Sequence, residues 1–220
     1  MLTIRFLRAE RMRQAAGGAD RRLRRAAALL LAGLLLVQSP ACAAELKPKT
    51  IEVFDRYVQL AEARMDVGST TGALFLYVDR LPEARRTAAY AELRDGRVVI
   101  EKLETLDNGA PIPVPGGMIH HWAGTVFIPG ATLEQTLALV EDYDHHQDYY
   151  KPDVMRSKIL ARNGNDFRIY LRFYKKKVLT SILDTEHEVH YVVVDATHAW
   201  SRSRTTHIRE VEDAGTPEKN

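Results

Sequence analysis

Histidines, acids and tyrosines gather at three places in this 220-residue chain: His120-His121, Asp142-Tyr143-Asp144-His145-His146 and His187-Glu188-Val189-His190. These residue types bind metal ions or move protons, and their spacing decides what they can do. A helix presents two ligands on one side when they stand four apart, as in His-Glu-x-x-His, whereas a strand needs them two apart. On strands, His120/His121 and His187/His190 point to opposite faces and make poor chelating pairs. Asp142 and His146, four apart at an expected helix end, are better placed. A plainer account of them is a helix C-terminus carrying a histidine whose cationic form the dipole favours. No metal and no cofactor is expected.

Nucleophilic chemistry has less support still. Ser157, Ser181, Ser201 and Ser203 sit in no Gly-x-Ser-x-Gly elbow, the single cysteine is Cys42, and no glycine-rich phosphate loop is present. Binding has more candidates. Tyr143, Tyr149, Tyr150, Tyr170, Tyr174, Tyr191 and Trp200 are placed to line a cavity, with Arg172 or Arg202 to meet a carboxylate or phosphate head group. Cross-strand packing explains the same aromatics. The alternatives to simple binding are an enzyme of the cyclase or dehydratase kind, using a His such as His146 or His187, or a Tyr, as the acid or base in the same cavity, and a gene fragment with no activity of its own.

These side chains need elements to hold them. Ile51, Phe54, Val58, Ala61 and Met65 recur at spacings of three and four, which predicts an amphipathic helix over 50–66 behind Pro48. A second helix is expected over Pro82–Leu93, then a short strand at Val98–Ile100. The turn-rich run 107–117 reads as a linker between an amino-terminal helical region, 44–106, and a second domain, 118–220. There, Met118–Ile128 is expected as a strand. Thr132-Leu133-Glu134-Gln135 is a capping box opening a helix to about Tyr143, with Leu133, Leu137 and Val140 as its buried stripe. Strands are expected at Val154–Arg162, Phe167–Tyr174, Val178–Val194 and Ala199–Val211. Short turns link them, which favours antiparallel hairpins. On the second strand Phe167, Ile169, Leu171 and Phe173 share one face, and Arg168, Tyr170, Arg172 and Tyr174 the other. That mixed face suits an amphipathic ligand or solvent equally.

The run Trp122–Leu133, then Glu141–His146, Tyr150, Pro152, Val154 and Ser157, followed by Lys176–Thr180, Asp184–His187 and Ile208–Pro217, resembles bacterial START-like, or polyketide cyclase-like (SRPBCC), proteins. The resemblance spans nearly half the chain. It implies an α+β helix-grip fold: a curved antiparallel sheet wrapping a long carboxy-terminal helix around a cavity for lipids, sterols or aromatic polyketides. It brings no catalytic motif. Only the polar residues 212–220 follow the last expected strand, so the domain is expected to lack the closing strands and gripping helix, as in a truncated gene product. Otherwise an amino-terminal helix such as 50–66 takes their place. An uncovered sheet face and unpaired edge would favour aggregation.

Charge separates the chain into two parts. Residues 1–43 carry eight arginines against two acids, a charge of +6, leaving 23 basic against 27 acidic residues, or −4, for the rest. Arg21-Arg22-Leu23-Arg24-Arg25 runs into Ala26–Val37 and then Ala41-Cys42-Ala43. This is the pattern of a cleavable signal peptide, and cleavage after Ala43 is expected to deliver a cysteine-free protein to the periplasm or beyond. Met1–Arg11 add nothing that such a signal requires, and Met12 is an alternative start. The apolar core would rise only about 18 Å as a helix against a hydrocarbon thickness of roughly 30 Å, so no stable membrane span is expected after cleavage. A mildly acidic remainder argues against nucleic acid, and Lys175-Lys176-Lys177 reads as a solvated turn. The expected partner is an apolar or amphipathic small molecule.

Overall fold

A computed structural model describes residues 2–7, 48–65, 74–114, 118–176 and 180–211. The expected signal core and cleavage region, Lys177, and the tail beyond Val211 lie outside the described residues. In chain order the elements are β1 (Leu2–Leu7), α1 (Pro48–Met65), α2 (Glu83–Arg94), β2 (Val99–Leu103), β3 (Leu106–Asp107), β4 (Ala110–Pro111), β5 (His121–Thr125), α3 (Leu133–Glu141), α4 (His146–Tyr149), β6 (Val154–Asn163), β7 (Asp166–Lys176), β8 (Thr180–Val193) and β9 (His198–Glu210). Short 3₁₀ turns occupy Tyr77–Arg80 and Tyr143–His145. The fold class is α+β. Two compact units divide the chain, one of residues 1–28 with 129–220 and one of residues 29–128.

The larger sheet is antiparallel throughout, in the order β1-β9-β8-β7-β6. Its pleat follows the period-two pattern of β7: Phe167, Ile169, Leu171 and Phe173 are buried, opposite Val189, His187, Thr185 and Leu183 of β8. The β6–β7 turn needs a left-handed residue, supplied by Gly164 at φ 57°. Beyond β8, the Asp195 carboxylate accepts from the N–H groups of Thr197 (2.7 Å) and His198 (2.8 Å), fixing the turn into β9.

Both edges of this sheet are managed. At the β6 edge, side chains replace a neighbouring strand: Ser157 N–H donates to Gln147 Oε1 and Ile159 N–H to Asp144 Oδ1, each at 2.8 Å. At the other edge Leu2–Leu7, which an export signal does not require, pairs with the first half of β9, Leu2 opposite Ser203 and Leu7 opposite His198. The expected open edge is thus half occupied. Beyond Ser203, β9 has no outer strand among the described residues.

In the other unit Met118–Ile128 does not join the later strands. Its central part, β5, pairs with β2, so the compact units part after Ile128 and not within 107–117. Inside that supposed linker, β3 and β4 form a hairpin whose Asn108-Gly109 turn has φ of 49° and 83°, the pattern of a type I′ turn. Val78, Ala89, Leu93 and Val99 make the core here, with Leu76, Leu81, Tyr90 and Phe127 packed around it. Helix α1 forms as its periodicity predicts but buries a different residue. Ile51 is 43% exposed, while Tyr57 is only 8% exposed. A polar handle decides this: the Tyr57 hydroxyl accepts from Thr105 N–H at 2.9 Å and bonds His121 Nδ1 at 3.2 Å. Arg56 beside it reaches Asp107 at 2.6 Å.

Candidate functional site

Helix α3 begins as its sequence dictates. Gln135 N–H donates to Thr132 Oγ1 at 3.1 Å, and Thr132 N–H donates to Gln135 Oε1 at 3.0 Å. Its end sets up the first candidate site, because the last carbonyls of any helix lack intrahelical donors. The carbonyls of Leu139 and Val140 accept from the imidazole of His146. Val140 also accepts from the Tyr191 hydroxyl at 3.3 Å, and that hydroxyl in turn accepts from Tyr143 at 2.7 Å. The rings interlock: Tyr143 meets Phe167 at 5.5 Å between centroids, Phe167 meets Tyr191 at 5.6 Å, and His146 meets Tyr150 edge-on at 5.0 Å. His146 and Tyr150 are 4% and 3% exposed.

This cluster is neutral at physiological pH. Burial pushes the His146 imidazole down to about 4 and raises the hydroxyl pKa values of Tyr143, Tyr150 and Tyr191. The expected cationic histidine at a helix end is therefore replaced by a neutral one. Nor does Asp142 pair with His146 four residues on. It binds His145 at 2.6 Å and Tyr149 at 2.6 Å, contacts that outweigh its burial and lower its pKa. Among the described residues, no three His, Cys, Asp or Glu side chains converge as metal ligands would.

Ten of the residues nominated for one cavity lie on opposite faces of the sheet, and the eleventh, Tyr149, donates to Asp142. Tyr143, His146, Tyr150, His187 and Tyr191 belong to the Phe167–Phe173 face; Tyr170, Arg172, Tyr174, Trp200 and Arg202 belong to the other. One cavity cannot be lined by both sets. On the second face, Tyr170 and Arg172 are committed to Asp184. Arg172 Nε donates to Oδ1 at 2.7 Å and Nη2 to Oδ2 at 3.0 Å, with Tyr170 and Arg209 completing the shell. The Arg172 guanidinium holds the Asp184 carboxyl down at about 2 despite its burial. No head group is needed there.

His187 is satisfied in a way that fixes its proton. The Thr185 hydroxyl donates to Leu171 C=O at 3.1 Å, so at its 2.9 Å contact it accepts from His187 Nε2–H. Nδ1 is then the acceptor for the Thr205 hydroxyl at 3.1 Å. Burial draws this imidazole down to about 4 as well.

A second candidate is a groove of about 400 Å³ along the outer side of α3, lined by Leu133, Glu134, Leu137, Ala138 and Glu141 with Val193, Asp195 and Ala196. Two leucines, two alanines and a valine line it together with three carboxylate residues. Glu141 is paired with Arg162 at 3.1 Å, and Asp195 with the N–H and hydroxyl donors of its own turn and with His198. None of the lining residues was nominated from sequence, since the groove exists only where α3 meets the β8–β9 turn some sixty positions later. The available signal was the helix stripe, in which Leu137 is only half buried where Leu133 is fully so. No family model, no curated protein and no solved structure matches the chain.

Proposed function

We propose that this chain is a binding module for an amphipathic small molecule, held non-covalently in the groove along α3 of a helix-grip-like domain that acts outside the cytoplasm. One observation carries this reading: a largely apolar groove of about 400 Å³, within the size range of small-molecule sites. Covering its apolar lining and a similar area of ligand, on the order of 100 Å² together, would contribute about 2.5 kcal/mol before the costs of association. Among the described residues no helix is long and apolar enough to cross a membrane. The imidazoles an enzyme would use, His146 and His187, serve as a helix cap and a fully bonded strand residue, and binding is accordingly favoured over turnover. Extraction of the purified protein with organic solvent, followed by mass spectrometry, tests the reading. A near-equimolar amphiphile is expected, lost on Leu137→Glu; an empty protein that takes up neither charged nor neutral amphiphiles would refute it.

A further inference from the structure

Among the buried polar atoms of the larger unit that lack a hydrogen-bond partner among the described residues, two stand side by side: His146 Nε2 and the Tyr150 hydroxyl. Such atoms are rare in folded proteins because each costs the desolvation of a polar group without return. Here they belong to neighbouring rings, 5.0 Å apart between centroids and nearly perpendicular, each more than nine-tenths buried. We infer that His146 and Tyr150 together form a binding site for one O–H group, donated by a buried water molecule or by the hydroxyl of a small ligand.

The chemical class follows from the proton positions. The carbonyls of Leu139 and Val140 accept from the imidazole, so the ring proton is on Nδ1 and Nε2 offers a lone pair. It requires a donor. The Tyr150 hydroxyl, held in its protonated form by burial, has a proton to give and requires an acceptor. A carboxylate cannot donate to Nε2, and an ammonium cannot accept from tyrosine. An O–H group does both. Neither residue lines the α3 groove.

Tyr150→Phe tests the inference without disturbing the packing, since only the hydroxyl is removed. With an O–H group bound, the variant loses a working hydrogen bond, and the unfolding equilibrium constant in urea rises about tenfold. In a His146→Asn background, which keeps a donor for the helix carbonyls and deletes Nε2, the same change has an effect several-fold smaller. Native mass spectrometry of the full chain separates the sources: one added small molecule per chain, absent from Tyr150→Phe, identifies a ligand hydroxyl, and its absence together with the stability loss identifies water. A Tyr150→Phe protein as stable as the parent or more so, with effects additive to those of His146→Asn, would overturn the site.

Discussion

A histidine buried without charge ties stability to pH in a direction that its neighbours set. His146 and His187 both have their pKa values drawn by burial from the ordinary 6.5 to about 4. The unfolded chain then binds more protons than the native one between those values, so stability is complete above about 6.5 and falls as the pH drops toward 4. For His146 alone the loss is on the order of 3 kcal/mol, at 1.36 kcal/mol for each pH unit. Asp184 acts lower on the scale. Its pKa is depressed to about 2 by Arg172, and its contribution is present above the ordinary carboxylate value near 3.9 and disappears as the pH falls through 2. Urea titrations at fixed pH should therefore show two declines, a larger one from 6.5 to 4 and a smaller one below it. His187→Gln, which retains a donor toward Thr185, should shallow the first decline and leave the second intact. A flat profile between pH 7 and 4 would remove the buried neutral histidines from the account.

Helix α3 is where local sequence and tertiary use part company. Its capping box was legible, because Thr132 and Gln135 satisfy each other whatever the rest of the chain does. The strands of the large sheet were legible too: period-two alternation in β7 and turn residues at Gly164 and Asp195 act within a few residues. What the sequence did not show is which side of α3 stays open, or that Tyr57 and not Ile51 would be buried on α1, since both depend on partners 48 or more residues away. The nominated residues failed as one cavity for a related reason. Alternation assigns residues to faces within one strand, but the connection between strands and helices decides which faces meet. The groove that results is lined by Glu134, Glu141 and Asp195 among apolar residues, and of these Glu134 predicts its selectivity. A cationic amphiphile such as dodecylammonium should bind more tightly than dodecanoate, by a few-fold at low ionic strength and less in salt. Glu134 is exposed, and Glu134→Lys should reverse the order in a calorimetric titration. Equal binding of both amphiphiles by parent and variant would leave Glu134 without a role.

Taken whole, the molecule asks two things of its amino end. Residues 1–43 carry the basic flank and apolar run expected of a removable export signal, while Leu2–Leu7 form the outer strand of the large sheet against His198–Ser203 of β9. Cleavage after Ala43 would take that strand with it. The β6 edge keeps its own cover, since Asp144 and Gln147 lie within the retained chain, but β9 would then lose the strand opposite His198–Ser203 and have no outer strand among the described residues. Long open edges of this kind pair with other strands. Full-length protein and residues 44–220 should accordingly differ in two measurements. The shorter chain should melt several degrees lower, and in size-exclusion chromatography it should shift to larger species as concentration rises, which the full chain should not do. Ile4→Pro in the full chain, which deletes one backbone donor of β1, should move partway toward the same behaviour. If residues 44–220 instead stay monomeric at the same melting temperature, β1 adds nothing to the sheet, and the same residues are free to serve the export signal without cost to the fold.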